Sequence, residues 1–311
     1  MNLRQLQTLL VIAECRSISR AAERLHVSQP AVTKSLRELE RSLGVALFER
    51  SARGLSPTRY GDSLIRHAKS VSAELRHAGE ELAALRGAAS GRVSIGTAPI
   101  GAAKIVPQAV AALLHDQPGL VVNVVEGTHN TLLPAVAVGE LDLFFGPLGD
   151  DGPGEGLVEE VLFYDRLHIV ARRNHPLAKR RTLELADLLD QPWVLPPTTV
   201  RPRRQLENAF RRQGLEPPTT GVETASPLIL RTLLLESDRI SVIARQALVV
   251  EVELGLIKLL PVDLGATIRP IGIVMRAGAT PSPAVAMLID HLKAEVGGTG
   301  RDTVKEARRL S

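Results

Sequence analysis

A single cysteine, Cys15, stands in 311 residues, so no internal disulfide can form. It lies among Leu9, Val11, Ile12 and Ile18, which reads as a buried structural thiol. Aromatic residues make up only 3% of the chain, so apolar burial falls to Leu, Val, Ile and Ala. No uncharged run reaches membrane-spanning length: the most apolar region, 226–262, is broken by Arg231, Glu236, Asp238, Arg239 and Arg245. The amino terminus lacks the apolar core of an export signal, and a cytoplasmic protein is expected. The eight histidines show no close metal-ligand spacing beyond a weak His67/His77 pair, so neither metal nor cofactor is expected. There is no Gly-x-Ser-x-Gly elbow, phosphate loop or dinucleotide fingerprint at a strand-to-helix junction. The glycine-rich stretch 146–156 runs into acidic residues rather than a helix. These gaps weigh against an enzyme.

What is present is concentrated first in residues 18–43, which read as two short helices joined by a tight turn. Ser28 is a natural N-cap, and Pro30 falls in the first turn, where a missing N–H costs little. Val32, Leu36, Leu39 and Leu43 recur at helical spacing and are expected to form a buried stripe. Gln29, Thr33 and Arg37, four apart, share the opposite face with Lys34. That polar, partly basic face suits insertion into a DNA major groove. On this pattern alone, an ordinary amphipathic hairpin with a solvated face is equally open.

Three observations shift the balance. Residues 1–90 hold 14 Lys and Arg against 9 Asp and Glu, while the remainder holds 24 against 25. The basic excess thus sits with the hairpin, as binding to a polyanion requires. After the hairpin, Leu47 and Phe48 can pack back, and Ala52-Arg53-Gly54 makes a loop between two short extended pieces. This reads as a wing that brings Arg50 and Arg53 towards phosphate, although both arginines on a surface hairpin can equally be solvated. Finally, Leu64, Ala68, Val71, Leu75, Ala78, Leu82 and Leu85 are spaced alternately 4 and 3 apart, the pattern of a coiled-coil seam. Dimerisation is the favoured reading; packing on the helix's own domain is the other. A dimer predicts a two-fold-related operator.

The run Ala21-Ala22 to Leu25, Val27-Ser28-Gln29-Pro30-Ala31-Val32-Thr33, Leu36, Leu39-Glu40, Leu43-Gly44, Leu47-Phe48 and Arg50 resembles the amino-terminal signature of LysR-type bacterial transcriptional regulators. The likeness is dense over residues 1–65 and collinear, though weaker, to about 295. It implies an α+β multidomain chain with an N-terminal winged helix-turn-helix, a long linker helix and a C-terminal two-lobed α/β effector domain like periplasmic solute-binding proteins. It also implies homotetramers built from dimers, binding to double-stranded promoter DNA, and regulation by a small-molecule effector. RNA polymerase is a further candidate partner. The alternative is a cytoplasmic small-molecule-binding or enzymatic α/β protein with an attached helical interaction module. A solute-binding protein is disfavoured by the attached DNA reader.

The expected divisions are a DNA-binding domain at 1–60, a linker helix at 61–87, a hinge at 88–91, an effector domain at 92–296 and a disordered tail at 297–311. Within the effector domain, lobe I takes 92–162 and 269–296, and lobe II takes 163–268. Strands are read at 92–96, 120–125, 141–145, 167–171 and 269–276, and helices at 102–115, 130–138 and 283–295. The βαβαβ order over 92–145 predicts parallel strands with right-handed crossovers. Two such lobes make a cleft, the usual place for a small ligand.

Ligands of open parallel sheets sit beyond the carboxyl ends of strands, near helix amino termini. Thr97, Thr128, Thr198, Thr199 and Ser226 occupy four such junctions. Each alone reads as a helix cap; together they read as a shared pocket. The family resemblance places effector contacts at the same junctions, giving Thr97, Ile100, Thr128, Pro196 and Thr199, with His129 nearby. DNA contacts fall on Ser28, Gln29, Pro30, Thr33, Lys34, Arg37, Arg50 and Arg53. His129, Arg166, Arg201, Arg203 and Arg204 can each pair with an organic or aromatic acid, although the cluster Arg201, Arg203 and Arg204 reads by default as solvated surface; Glu126 favours a hydroxyl-rich ligand such as a sugar, and the sequence leaves the two open.

Overall fold

The structure, a computed structural model, describes residues 1–51, 54–85, 91–149, 152–219, 221–265 and 267–299. Three serine and asparagine caps start its first helices. Asn2 forms a capping box with Gln5 at α1 (Leu3–Cys15). Ser17 caps α2 (Ile18–Arg24) and Ser28 caps α3 (Gln29–Leu43), each hydroxyl accepting a backbone N–H three residues on. His26 takes the left-handed conformation in the tight turn between α2 and α3, with φ of 54°. Leu9, Ile12, Ala21, Ala22, Val32 and Leu39 close the core of this domain. Two expectations need correction. Leu43 is 40% exposed rather than buried, because it lies in the last turn of α3, one residue before Gly44 ends the helix, at the rim of the domain. Cys15 is only half-buried, packed against the core from the last turn of α1.

The wing is the antiparallel pair β1 (Phe48–Ser51) and β2 (Gly54–Pro57), with Phe48 opposite Pro57. Leu47 and Phe48 are buried beneath it. The carboxylate of Glu40 on α3 accepts the Leu47 N–H at 2.8 Å, which ties the entry of the wing to that helix. The wing residue Arg53 lies outside the described residues, as do positions 88–90 of the expected hinge.

Helix α4 (Arg59–Leu85) has three different environments along its length. Leu64, Ile65 and Ala68 pack into the amino-terminal core. Ala73, Arg76 and His77 face the carboxyl-terminal part of the chain. Val71, Leu75 and Leu82 are 42%, 51% and 58% exposed, and Ala78 is exposed with them. The solvent-facing part of the expected seam therefore begins at Val71, after the two positions that serve the helix's own domain. Leu85 is the last residue of α4.

Lobe I is built on β3 (Gly91–Thr97), α5 (Pro99–Ala102), α6 (Ile105–Asp116), β4 (Leu120–Glu126), α7 (His129–Ala137), β5 (Leu143–Pro147) and β6 (Leu157–Asp165). Lobe II takes β7 (Leu167–Arg172), β8 (Val194–Leu195), α8 (Arg201–Arg212), β9 (Val222–Glu223), α9 (Pro227–Leu235), β10 (Ser241–Ala244), α10 (Val249–Glu253) and β11 (Ile257–Leu259). The chain then returns to lobe I with β12 (Arg269–Arg276) and α11 (Pro283–Thr299). The lobe I sheet runs β4-β3-β5-β12-β6, with β3 parallel to both neighbours and β12 antiparallel to β5 and β6. In lobe II, β7 lies between β10 and β11, both antiparallel to it.

The expected helix at 102–115 is two helices, interrupted at Ala103 and Lys104. Restarting at Ile105 places Pro107 in the first turn of α6, where no intrahelical donor is needed. Strand β6 was not anticipated. It is an edge strand paired only with β12, and a register shift beside Gly272 interrupts its alternation. A Cβ on Gly272 would stand 1.9 Å from the Glu160 carbonyl oxygen, so glycine alone fits that approach. The residues beyond Thr299 lie outside those described.

Candidate functional site

The outward face of α3 is presented as its spacing predicts. Ser28, Gln29, Pro30, Lys34 and Arg37 are exposed and Thr33 is half-buried. Gln29, Pro30, Thr33, Lys34 and Arg37 line a shallow groove along the helix together with Glu38 and Arg41. Gln29 is steadied from α2, accepting a hydrogen bond from Ser19 Oγ at 3.3 Å, while Lys34 and Glu38 approach only to 4.0 Å. Arg50 is exposed on β1, so a wing strand adds a positive group to those on the helix face. Among the described residues, no helix is long and apolar enough to cross a membrane.

The second region lies where the two lobes meet. Helix α5 of lobe I packs on the turn Arg245–Leu248 of lobe II. Lys104 bridges the lobes by donating to both carboxylate oxygens of Glu253, at 2.7 and 2.8 Å. The expected pocket residues occupy different environments. Thr97 is fully buried, and its hydroxyl donates to the Phe145 and Ala98 carbonyls. Ile100 is buried in α5. Thr128 is exposed and caps α7 in a box with Thr131. His129 packs edge-on against Phe144 at 5.9 Å, and its buried Nε2 has no partner among the described residues. Pro196 is half-buried, Thr198 and Thr199 are exposed, and Ser226 caps α9 through the Ile229 N–H. The capping role thus holds for Thr128 and Ser226. Of the three arginines that follow Thr199, Arg203 is buried against Glu207 at 2.6 Å instead of being solvated, Arg201 is half-buried and Arg204 is exposed.

A charged cluster at the crossover escaped the sequence reading. Asp165 ends β6 and Arg269 begins β12, and the two are cross-strand partners. Both are buried, at 4% and 7% exposure, and Asp165 Oδ1 accepts the Arg166 N–H at 2.8 Å. Burial pushes the Asp165 carboxyl up to about 6, against the pull of Arg269, the Arg166 N–H, Arg245 and Arg166. Burial, with Arg166 and Arg245, holds the His168 imidazole down to about 4. The signal in the sequence was ionisable residues at the ends of otherwise apolar strands, but nothing local joins position 165 to position 269.

These pKa shifts give a test. A folded-state His168 that binds its proton only near pH 4, against 6.5 when unfolded, removes stability as pH falls through that interval. Asp165 has the opposite sign, losing stability as pH rises from its unfolded value of 3.8 to about 6. Comparing wild type with His168→Gln cancels the Asp165 contribution. In urea titrations, wild type is expected to lose about 2 kcal/mol relative to the variant between about pH 7 and pH 5. A constant difference across that range would show that His168 titrates as if exposed.

The chain matches the model of the LysR-family bacterial regulatory helix-turn-helix over residues 3–62 and that of the LysR substrate binding domain over 86–297. It belongs to the LysR family. It is 36% identical over 295 residues to the HTH-type transcriptional regulator GbpR of Azospirillum brasilense, covering 94% of this chain and 86% of that one. It is 34% identical over 294 residues to the regulator PcaQ of Agrobacterium fabrum, covering 94% of each. Among solved structures, the LysR-family regulator CbnR superposes with a TM-score of 0.66 at 23% identity, over 95% of this chain and 99% of that one. CbnR bound to its target DNA gives 0.65 at the same identity, over 95% and 100%. This LysR family member is thus a DNA-binding transcriptional regulator that joins a helix-turn-helix to a substrate-binding domain.

Proposed function

We propose that this LysR regulator reads promoter DNA with α3, holds it with the wing, and changes its grip when a small effector binds between the lobes. The carrying observation is the placement of Gln29, Thr33, Lys34 and Arg37 on one accessible face of a helix whose other face is locked by Val32 and Leu39. Gln29 and Arg37 suit base edges, which need bidentate donors and acceptors; Thr33, Lys34 and Arg50 suit phosphate, as does Arg53 by its place in the sequence. The exposed apolar line Val71, Leu75, Ala78 and Leu82 on α4 supports a dimer through this helix, and a dimer requires a two-fold operator. Tetramers assembled from such dimers, action in the cytoplasm and the absence of catalysis complete the reading.

The experiment is a competition binding series on operator variants. Arg37→Ala is expected to lose about 1–3 kcal/mol of discrimination at one base pair of each half-site while keeping its non-specific affinity. Arg53→Ala is expected to weaken all sequences alike and reduce the salt slope by about one. Unchanged relative affinities in Arg37→Ala would remove it as a base reader.

A further inference from the structure

Among the described residues, Gln29 is the one side chain lining the α3 groove that takes a hydrogen bond from another element. Its Oε1 accepts from Ser19 Oγ of α2 at 3.3 Å, although both side chains are exposed. Lys34, by contrast, approaches only Glu38 of its own helix, at 4.0 Å. The partners meet because of how the hairpin is built. Ser19 is the second residue of α2, Gln29 is the first of α3, and the left-handed His26 turns the chain between them. Ala21 and Ala22 of α2 and Val32 of α3 are buried in one core, which fixes both backbones. Serine has a single side-chain torsion, so its hydroxyl is a firm anchor, whereas an exposed glutamine samples many rotamers. Ordering that glutamine on DNA costs binding free energy, and a bond already made in the free protein removes part of the cost.

We infer that Ser19 is a positioning residue for base reading, aiming the Gln29 amide at an adenine. The inference rests on the reading of Gln29 as a base contact and adds the residue that orients it and the base it fits. A serine hydroxyl has one proton to donate, and here Gln29 Oε1 takes it. A phosphate oxygen only accepts, so Ser19 serves the glutamine at the expense of a backbone contact of its own. With one lone pair of Oε1 held from the α2 side, the other lone pair and the neighbouring N–H remain for a base. An acceptor beside a donor is the complement of adenine, which offers N6–H and N7 in the major groove. Guanine presents two acceptors there, N7 and O6, and leaves the amide oxygen unmatched. Gln29 stands in the first turn of α3, the part of a recognition helix that meets base edges.

The test is selection of bound duplexes from a library of randomised base pairs, using the full-length protein and sequencing the bound fraction. Wild type is expected to prefer adenine at one position of each half-site, and Gln29→Ala to erase that preference and no other. Ser19→Ala is expected to weaken the same preference about fivefold, the worth of one neutral hydrogen bond, with every other position unchanged. Ser19→Thr, which keeps the hydroxyl, is expected to restore it. Adding Ser19→Ala to Gln29→Ala is expected to change nothing further. The melting temperature of Ser19→Ala should stay within about 2 °C of wild type, since the position is exposed. A Ser19→Ala loss shared equally by all sequences makes the hydroxyl a phosphate contact and overturns the proposal. So does an unchanged preference in Ser19→Ala where Gln29→Ala erases it, or a Gln29-dependent preference for guanine or a pyrimidine. If Gln29→Ala leaves every preference intact, the reading of Gln29 as a base contact fails, and the positioning role falls with it.

Discussion

Asp142→Ala is expected to destabilise the carboxyl-terminal domain by about 3–5 kcal/mol, the cost of breaking a buried ion pair from one side. The carboxylate is 3% exposed and both of its oxygens are engaged. Oδ2 accepts the buried Ser94 N–H at 2.7 Å, and Oδ1 accepts from His77 Nε2 at 2.9 Å with Arg76 Nη2 at 3.4 Å. Burial raises the carboxyl's proton affinity, but the His77 and Ser94 hydrogen bonds and the Arg76 charge outweigh it, so the group stays ionised below the usual carboxylate range. Truncation leaves the Ser94 N–H without a partner and releases His77, while Arg76 keeps the Gly139 carbonyl at 2.9 Å. Because His77 and Arg76 belong to α4, the same change loosens the linker helix from lobe I. Besides the Arg76–Gly139 bond, the Arg276 contact to His77 Nδ1 at 3.3 Å and the ion pairs Lys69–Glu140 and Glu74–Arg276 remain, and with partly exposed members the ion pairs contribute little singly. The expected melting temperature is lower by about 10 °C, with Asp142→Asn in between because its amide oxygen can still accept from Ser94. A loss below about 1 kcal/mol would show that water replaces all three partners at no cost.

This clamp also shows where sequence reading stops. The a/d spacing of α4 was legible because a coiled-coil seam is a local, periodic signal, and the line from Val71 to Leu82 does face outward. The opposite face of the same helix was not legible, because Arg76 and His77 look like ordinary solvated positions until β5 brings Asp142 against them. The cap Ser28 and the first-turn Pro30 could be read from neighbours three or four residues away. Strand β6 could not, since Glu159 and Glu160 are adjacent in it and an edge strand with a bulge has no clean two-residue period. The site divided in the same way. The polar, partly basic face of α3 is a property of one helix and was visible, whereas Asp165 and Arg269 meet only through strand register. Of the threonines read at strand-to-helix junctions, Thr128 proved to be a cap and the hydroxyl of Thr97 is spent on the Phe145 carbonyl.

Gly61→Ala should be the most damaging single methyl group in the DNA-binding domain. Gly61 lies in the first turn of α4, where a Cβ would stand 2.0 Å from the Leu47 carbonyl oxygen and 3.2 Å from Pro57 Cβ. Neither neighbour is free to move. The Leu47 carbonyl accepts the Thr58 N–H at 2.9 Å, and the Leu47 N–H is held by Glu40 at 2.8 Å. Thr58 in turn fixes the start of the helix, its hydroxyl donating to the Ala46 carbonyl and accepting the Gly61 N–H at 3.1 Å. An added methyl group must therefore push α4 away from the wing, breaking these bonds together and opening the packing of Ile65 and Ala68 on the core. The alanine gain in helix propensity, about 1 kcal/mol, is smaller than overpacking by a full atomic overlap, about 3 kcal/mol. The net expectation is a loss of about 2 kcal/mol or more, read by urea denaturation of the full-length chain. On the proposed dimer through α4, the effect on DNA binding should be larger than the stability loss alone predicts, because the displaced helix would then set the spacing between the two readers. Operator affinity that falls only in proportion to the unfolded fraction would show that α4 transmits no geometry from the wing, and that the two readers find their spacing by other contacts.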